Sequence, residues 1–414
     1  MCRDVHGLAS VSFAELWAEL LPLGRDERSG GYRRYSWTES DAACRGWFAA
    51  TAARLGLLAE CDRNGNLWAW WEPSADGLAI VTGSHLDSVP DGGAFDGPLG
   101  VVSAFAAVGR LRATGFRPAR PVAIAAFTEE EGARFGVACL GSRLLTGAID
   151  PATARRLRDR DGVSLAEAMQ TADRDPALLG SDDELLARLG ACVELHIEQG
   201  SALAGLGAAI GVAAGIWPHG RWRLDFAGRA DHAGTTRLAD RRDPMLPFAA
   251  TVLAARAAAE RHGALATVGK VTAEPGAANA ISAAVHAWLD ARAPDDTALA
   301  DVVTDVWDLA QQESARHGVE VSRAEESVTP AVSFDTALRD RVTAVLAAAG
   351  APAPVLATGA GHDAGVLASR IPATMLFVRN PTGVSHAPGE HAEPADCEAG
   401  VEALAAVIAD LAGQ

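Results

Sequence analysis

Short apolar runs and one long apolar helix alternate through the first half of the chain. Leu78–Val81 reads as a buried strand. Pro98 then opens a helix that runs through Leu111 and closes at Gly115, and proline suits a first helical turn. Pro121–Phe127 (PVAIAAF) is a second β-like run. Strand, helix and strand at this spacing form a βαβ unit, hence a parallel sheet covered by helices. A third strand is expected in Ala191–Gly200 (ACVELHIEQG), with His196 and Glu198 on one face. The acidic, alanine-rich residues 151–190 read as outlying helices and loops.

From about Gly211 the period changes. RWRLDFAG alternates like a half-exposed strand, and DPMLPFAATVLAARAAAERHG reads as a helix with Asp243 as N-cap, Pro244 first and Gly263 beyond its end. LATVGKV and ISAAVHAWLDAR are strands. In the next helix Leu299, Val302, Val303 and Val306 share one face, and VEVSRA closes the set. The order β-α-β-β-α-β is that of a ferredoxin-like domain. After about Ser327 the chain returns to mixed α/β, with PATMLFV as a strand. The fold class is α/β: a mainly parallel sheet flanked by helices, formed by residues 1–210 and 328–414, with an inserted ferredoxin-like α+β satellite domain over 211–327.

Composition narrows the partners. A length of 414 residues favours two domains. A net charge of −17 argues against nucleic acid and anionic membrane surfaces, both of which recruit basic patches. No apolar run of about 18 or more residues is present, so no membrane span is expected. MCRDVHGLASVSF has no apolar signal region. Cys2, Cys44, Cys61, Cys139, Cys192 and Cys397 are scattered without a CxxC, as reduced thiols of a cytoplasmic protein are. A small-molecule substrate is the remaining kind of partner.

Chemistry gathers after the strands. GSHLDSVPDGGAFDGPLGV (83–101) places His85, Asp87, Asp91 and Asp96 close together, where carboxylates repel unless something positive sits among them. TEEEGARF follows the second strand, His196 ends the third, and GVSHAPGEH follows Met375–Val378. Sites in open α/β sheets form outside the carboxyl ends of strands, where all four clusters fall. The set suits two divalent metals of the zinc, manganese or cobalt kind, and the absence of thiolates argues against a structural zinc. One carboxylate must bridge the cations, and a second must stay free to take a proton from an activated water. The adjacent Glu130 and Glu131 can divide these tasks.

The order HLD, a following aspartate, EEG, HIEQG, GRADHAGTT, PGAANA, GHDA and SHAPGE runs from about residue 81 to 393. It resembles the di-metal amidohydrolases related to aminoacylase and carboxypeptidase G-type enzymes. Within them it resembles the hydantoinase/carbamoylase branch of N-carbamoyl-L-amino-acid hydrolases, allantoate amidohydrolases and β-ureidopropionases. The resemblance implies a di-zinc-peptidase-like catalytic domain holding two divalent ions per subunit, Zn2+ or Mn2+, with Co2+ or Ni2+ as alternatives. It implies the ligands His85, Asp96 (bridging), Glu131, His196 and His386, with Glu130 as general base and Asp87 orienting His85. Peptidase relatives usually carry a carboxylate where His196 stands; a histidine followed by Gln199 marks the ureido branch. By the same resemblance His232 stabilises the oxyanion, often in a neighbouring subunit's site, within a homodimer made by the satellite domain. Asn279 and Arg292 would hold the substrate carboxylate, and Gln199, Gly361 and His362 would position the amide or ureido group.

The implied reaction is cleavage of a ureido (N-carbamoyl) C–N bond on a small α-carboxylate, allantoate or an N-carbamoyl-L-amino acid. The alternatives are an N-formyl- or N-acyl-L-amino-acid deacylase or dipeptidase and, in another class, an inactive ligand-binding relative; Glu130 and a complete ligand set favour an enzyme. HAGTT is usually followed by Pro-Met, whereas here Arg237-Leu238 follow, and Trp217, His219 and Arg241 take no assigned role. Blander readings apply elsewhere. His6, His262 and His286 read as core residues, Glu129 as a solvated neighbour, Asp91 as a turn residue, and Asp363 as orienting a loop. His391 and Glu393 read as structural, and Trp68, Trp70 and Trp71 as packing aromatics.

Overall fold

The computed structural model describes residues 11–72 and 75–413, so Cys2 and His6 lie outside the described residues. The chain forms two compact units, one from the chain up to Gly215 together with Ser333 onward, the other Ile216–Val332. The division falls later than the expected 211 and 327. Ile210–Ile216 stays with the main sheet, antiparallel to Ala373–Val378, and Glu320–Thr329 extends through Thr329 opposite His219.

In the first unit four strands lie side by side and parallel: Val122–Phe127, Ala79–His85, Leu189–Ile197 and Ala373–Val378. Leu67–Trp71 and Leu58–Cys61 extend one edge antiparallel, and Ile210–Ile216 extends the other. Every residue of Ala79–His85, Val122–Phe127 and Ala373–Val378 is buried, the pattern of strands covered on both faces. The helix Pro98–Ala113 is buried almost throughout from Pro98 to Leu111. It packs with Pro394–Ala412 in the main core, where Leu99, Phe105, Val401 and Leu404 meet Ile124 and Leu195. Burying each such side chain contributes about 1.5–3 kcal/mol. Trp68 and Trp70 stack in the interior with ring centroids 6.0 Å apart. Residues 151–190 form short helices and loops, as expected, and Leu165, Ala168 and Met169 join Phe135, Leu140 and Leu144 in a small core of their own.

The third strand ends at Ile197, so His196 and Glu198 do not share a strand face. Beyond it, Glu198 accepts the N–H groups of Ala202 and Leu203 at 2.6 and 3.0 Å. Among the described residues no helix is long and apolar enough to cross a membrane, and the five described cysteines are free.

In the second unit His219–Ala227, Leu265–Glu274, Ala284–Arg292 and Glu320–Thr329 form an antiparallel sheet ordered fourth, first, third, second. Trp222, Leu224, Phe226, Val285 and Leu289 point inward at alternate positions. They meet Leu299, Val302 and Val306 of the helix Asp296–Arg316. The other helix starts at Met245 with Pro244 at the cap position, and Asp243 accepts the Met245 N–H from one residue further back. His262 and His286 are not core residues. Each lies half-buried on an outward face and pairs with a carboxylate, Asp305 at 2.8 Å and Asp225 at 2.5 Å.

Candidate active site

The carboxyl ends of the parallel strands bring His85, Asp96, Glu130, Glu131, His196 and His386 together, with Asp87, Gln199 and His362 around them. His85 ends its strand fully buried, and the loop that follows returns Asp96 beneath it. Gly97 makes this return possible: its φ is +84°, and a Cβ there would stand 2.4 Å from the His85 ring. Asp96 is held from behind by Glu390, whose Oε1 accepts the N–H groups of Phe95 and Asp96 at 2.8 and 2.9 Å.

Asp96 faces two ways. Its Oδ1 lies 3.2 Å from His196 Nε2 and 3.6 Å from His85 Nε2. Its Oδ2 lies 3.3 Å from His386 Nε2, which in turn lies 3.6 Å from Glu131 Oε2. Ligand atoms of His85, Asp96 and His196 sit within 4.8 Å of one another, and so do those of Asp96, Glu131 and His386. The buried Nε2 atoms of His85 and His196 make no hydrogen bond among the described residues. Their Nδ1 atoms face main-chain oxygens of Asp87 and Ile197 at 3.1 and 2.9 Å, which turns Nε2 toward Asp96. Unpartnered imidazole nitrogens converging on a carboxylate among further buried carboxylates fit a pair of divalent cations.

The electrostatics describe the same crowding. Burial opposes ionisation of Asp96, but the imidazoles of His196, His386 and His85 that face its two oxygens outweigh it and hold the carboxyl well below its usual range. Burial pushes Glu130 well above the usual carboxylate range and Glu131 to about 7. The hydrogen bond to Asp96 lifts His386 to about 9. Burial, then His196, holds His362 well below its usual value, so its imidazole is neutral.

Asp87 faces His85 with its carboxylate as well as its backbone, Oδ1 lying 3.6 Å from Nδ1. Its main-chain oxygen orients His85, while its carboxylate accepts the N–H groups of Glu130 and Glu131 at 3.2 and 3.1 Å. Glu130 Oε2 then stands 3.7 Å from His85 Nε2, and Cys139 Sγ stands 3.3 Å from Glu130 Oε1. Glu129 is not a solvated neighbour: it is 1% exposed and accepts the N–H groups of Arg134 and Phe135, bracing the loop from inside. Asp91 is a turn residue with φ +56°, bonded to Arg33 and Ser29. His391 pairs with Glu393 at 3.3 Å.

Gln199 Nε2 donates to Asp96 Oδ2 at 2.9 Å, while its Oε1 is buried without a partner among the described residues. His362 packs on His196 with ring centroids 4.5 Å apart, and Gly361 precedes it, exposed. Two further residues support the site. Glu194 accepts Ser84 Oγ at 2.7 Å and the Ala364 N–H at 2.9 Å, and Asp363 accepts Ser142 Oγ. Glu390 and Glu194 were within reach of sequence reasoning only through their places in SHAPGE and VELHIEQ.

The sequence profile of peptidase family M20/M25/M40 matches residues 81–410. The chain belongs to this family. Every residue placed around Asp96 lies inside the matched M20 region, and enzymes of the M20 family depend on metal. Among its relatives is an N-carbamoyl-L-amino acid amidohydrolase of Geobacillus stearothermophilus, 35% identical over 405 residues, covering 96% of this chain and 98% of that protein. The allantoate amidohydrolase of Bacillus subtilis is 31% identical, over 92% of this chain and 93% of its own. A solved amidase of the hydantoinase/carbamoylase family from Burkholderia multivorans matches with a TM-score of 0.88 at 30% identity, over 98% of this chain and 99% of that one.

Within the second unit of this M20 chain, His232 and Asn279 are neighbours. Asp231–His232 pairs with Ala280–Ile281, His232 opposite Ala280, and the Ala233 N–H donates to the Asn279 carbonyl at 3.1 Å. Arg241 braces this corner by donating to the carbonyls of Ala233 and Thr236 at 2.7 and 3.1 Å. Arg237 lies exposed and pairs with Asp240 at 2.7 Å. Arg292 is elsewhere: it sits opposite His219 at the far end of the nine-residue strand Ala284–Arg292, with Asp290 3.2 Å from its Nε. That strand spans roughly 25–30 Å, so the unit does not bring Arg292 to His232 and Asn279. Trp217 is half-buried, its carbonyl facing His219 Nδ1 at 3.2 Å.

Proposed function

We propose that the protein is a cytoplasmic, homodimeric, metal-dependent amidohydrolase. It cleaves the ureido (N-carbamoyl) C–N bond of a small α-carboxylate, with allantoate and N-carbamoyl-L-amino acids as first candidates. One observation carries the reading: the two oxygens of Asp96 serve two ligand groups, His85 with His196 and Glu131 with His386. These five residues would hold two divalent ions of the Zn2+ or Mn2+ kind. When bound, such ions polarise the scissile carbonyl and make a water acidic enough to attack near neutral pH.

The chain's own groups do the rest. Glu130, buried and close to His85 but outside both ligand groups, takes the water's proton and passes it to the leaving nitrogen. The unpartnered Gln199 Oε1 offers an acceptor to a ureido N–H, and neutral His362, packed on His196, and the Gly361 backbone help to position the same group. Arg292 and Asn279 hold the substrate carboxylate, and His232 meets the developing oxyanion. The separation of Arg292 from His232 and Asn279 supports a homodimer in which the two sets come from different copies. The activities for which the Geobacillus and Bacillus relatives are named support the substrate class.

The test is a panel of allantoate, several N-carbamoyl-L-amino acids, N-carbamoyl-β-alanine, N-formyl-L-glutamate and a dipeptide, followed by ammonia and amine detection. Ammonia release from an N-carbamoyl-L-amino acid or allantoate is expected. Cleavage of the dipeptide alone would move the chain to peptidase chemistry.

A further inference from the structure

We propose that Cys139 is a positioning residue for the Glu130 carboxylate, its thiol fixing the orientation of the base in the cleft. The proposal rests on the reading of Glu130 as the base. Cys139 is buried immediately before the helix Leu140–Thr146, and its Sγ lies 3.3 Å from Glu130 Oε1, hydrogen-bond distance for sulfur. The backbone joins the same two residues. The Cys139 N–H donates to the Glu130 carbonyl at 2.6 Å, Leu140 to Glu129 at 3.1 Å, and Gly141 to Thr128 at 2.9 Å. Three successive amides thus lace the Thr128–Glu130 loop to the head of the helix, and Cys139 grips Glu130 by both N–H and S–H.

The conformation of Cys139 is a second, independent observation. Its φ of 54° and ψ of 36° are left-handed, a region that disfavours residues with a Cβ and is usually given to glycine. A side chain kept in such a place has a use for its direction, and here that direction is Glu130. On the other side of the base, Asp87 holds the Glu130 N–H and Oε2 faces His85. The thiol therefore occupies Oε1 and leaves Oε2 toward the reacting centre. A weak donor suits the task, because it sets a rotamer without stabilising the ionised carboxylate so far that basicity is lost.

The test compares Cys139→Gly, Cys139→Ser and Glu130→Gln in the metal-loaded enzyme, reading kcat, KM, metal content and Tm on the best ureido substrate of the panel. Glycine accepts the left-handed backbone and removes the donor; serine keeps a donor. The expected result is a fall in kcat of about tenfold for Cys139→Gly with KM and metal content unchanged, and recovery to within about threefold in Cys139→Ser. If Glu130→Gln is inactive while Cys139→Gly keeps kcat within about twofold, the positioning role is overturned and the base reading stands. Equal losses in Cys139→Gly and Cys139→Ser, with a lowered Tm, would assign Cys139 to packing and also overturn it. A fully active Glu130→Gln would remove the base reading and this proposal together.

Discussion

The Asp87 carboxylate accepts the backbone N–H of Glu130 at 3.2 Å, and its other oxygen accepts that of Glu131 at 3.1 Å. One side chain therefore sets the turn that presents Glu130 and Glu131, the proposed base and metal ligand, together. Asp87→Ala should weaken metal binding by about 10–100-fold, the usual effect of losing a partner behind the ligands. Asp87→Asn, which keeps one acceptor, should fall between. Calorimetric titration of the metal-free proteins decides it; wild-type affinity in Asp87→Ala would show that the turn holds itself.

Glu390 does the same for Asp96 through the N–H groups of Phe95 and Asp96. Glu390→Ala leaves two buried donors without a partner, which costs about 1–3 kcal/mol. Denaturant unfolding of the metal-free form should report that loss. Unchanged stability would mean that the loop re-pairs elsewhere.

Metal affinity should rise with pH. His386, lifted to about 9 by its hydrogen bond to Asp96, carries a proton below that pH; Glu131, raised by burial to about 7, carries one below 7. Both protons must leave before a cation binds. Affinity of the metal-free protein should therefore climb about tenfold per unit from pH 7 to 9, and more steeply below 7. Competition against a chromophoric chelator at several pH values measures the slope, and a flat profile would remove His386 and Glu131 from the ligand set.

Glu130→Gln should keep the metals and lose at least about a hundredfold in turnover, the scale of a missing general base. Single-substrate kinetics with metal analysis checks both halves. A variant within a few-fold of wild type would rule out Glu130 as the base.

Much of this site is legible in the sequence because its chemistry follows strand ends. His85 and His196 lie at the ends of parallel strands, Glu130 and Glu131 in the loop after Phe127 and His386 in the loop after Val378, so the strand pattern predicts their convergence. Glu390 is different: it reaches Asp96 across 294 positions, and nothing local marks it as buried. Glu129 shows the same limit from the other side. A carboxylate that accepts the N–H groups of Arg134 and Phe135 in the interior reads in sequence like any solvated neighbour of Glu130 and Glu131. His262 and His286 reverse the error, since their partners Asp305 and Asp225 come from other elements of the second unit. The inner face of that unit is legible from alternation, but the distance of Arg292 from His232 appears only once strand register is known.

The proposed hydrolase is built on two cations that share Asp96. Its most direct test follows ammonia release from an N-carbamoyl-L-amino acid or allantoate while chelated, metal-free protein is titrated with Mn2+ or Zn2+. Turnover should be absent at the start and reach a plateau at about two equivalents per chain, as a shared two-metal site requires. Full turnover without metal, or a plateau at about one equivalent, would contradict it.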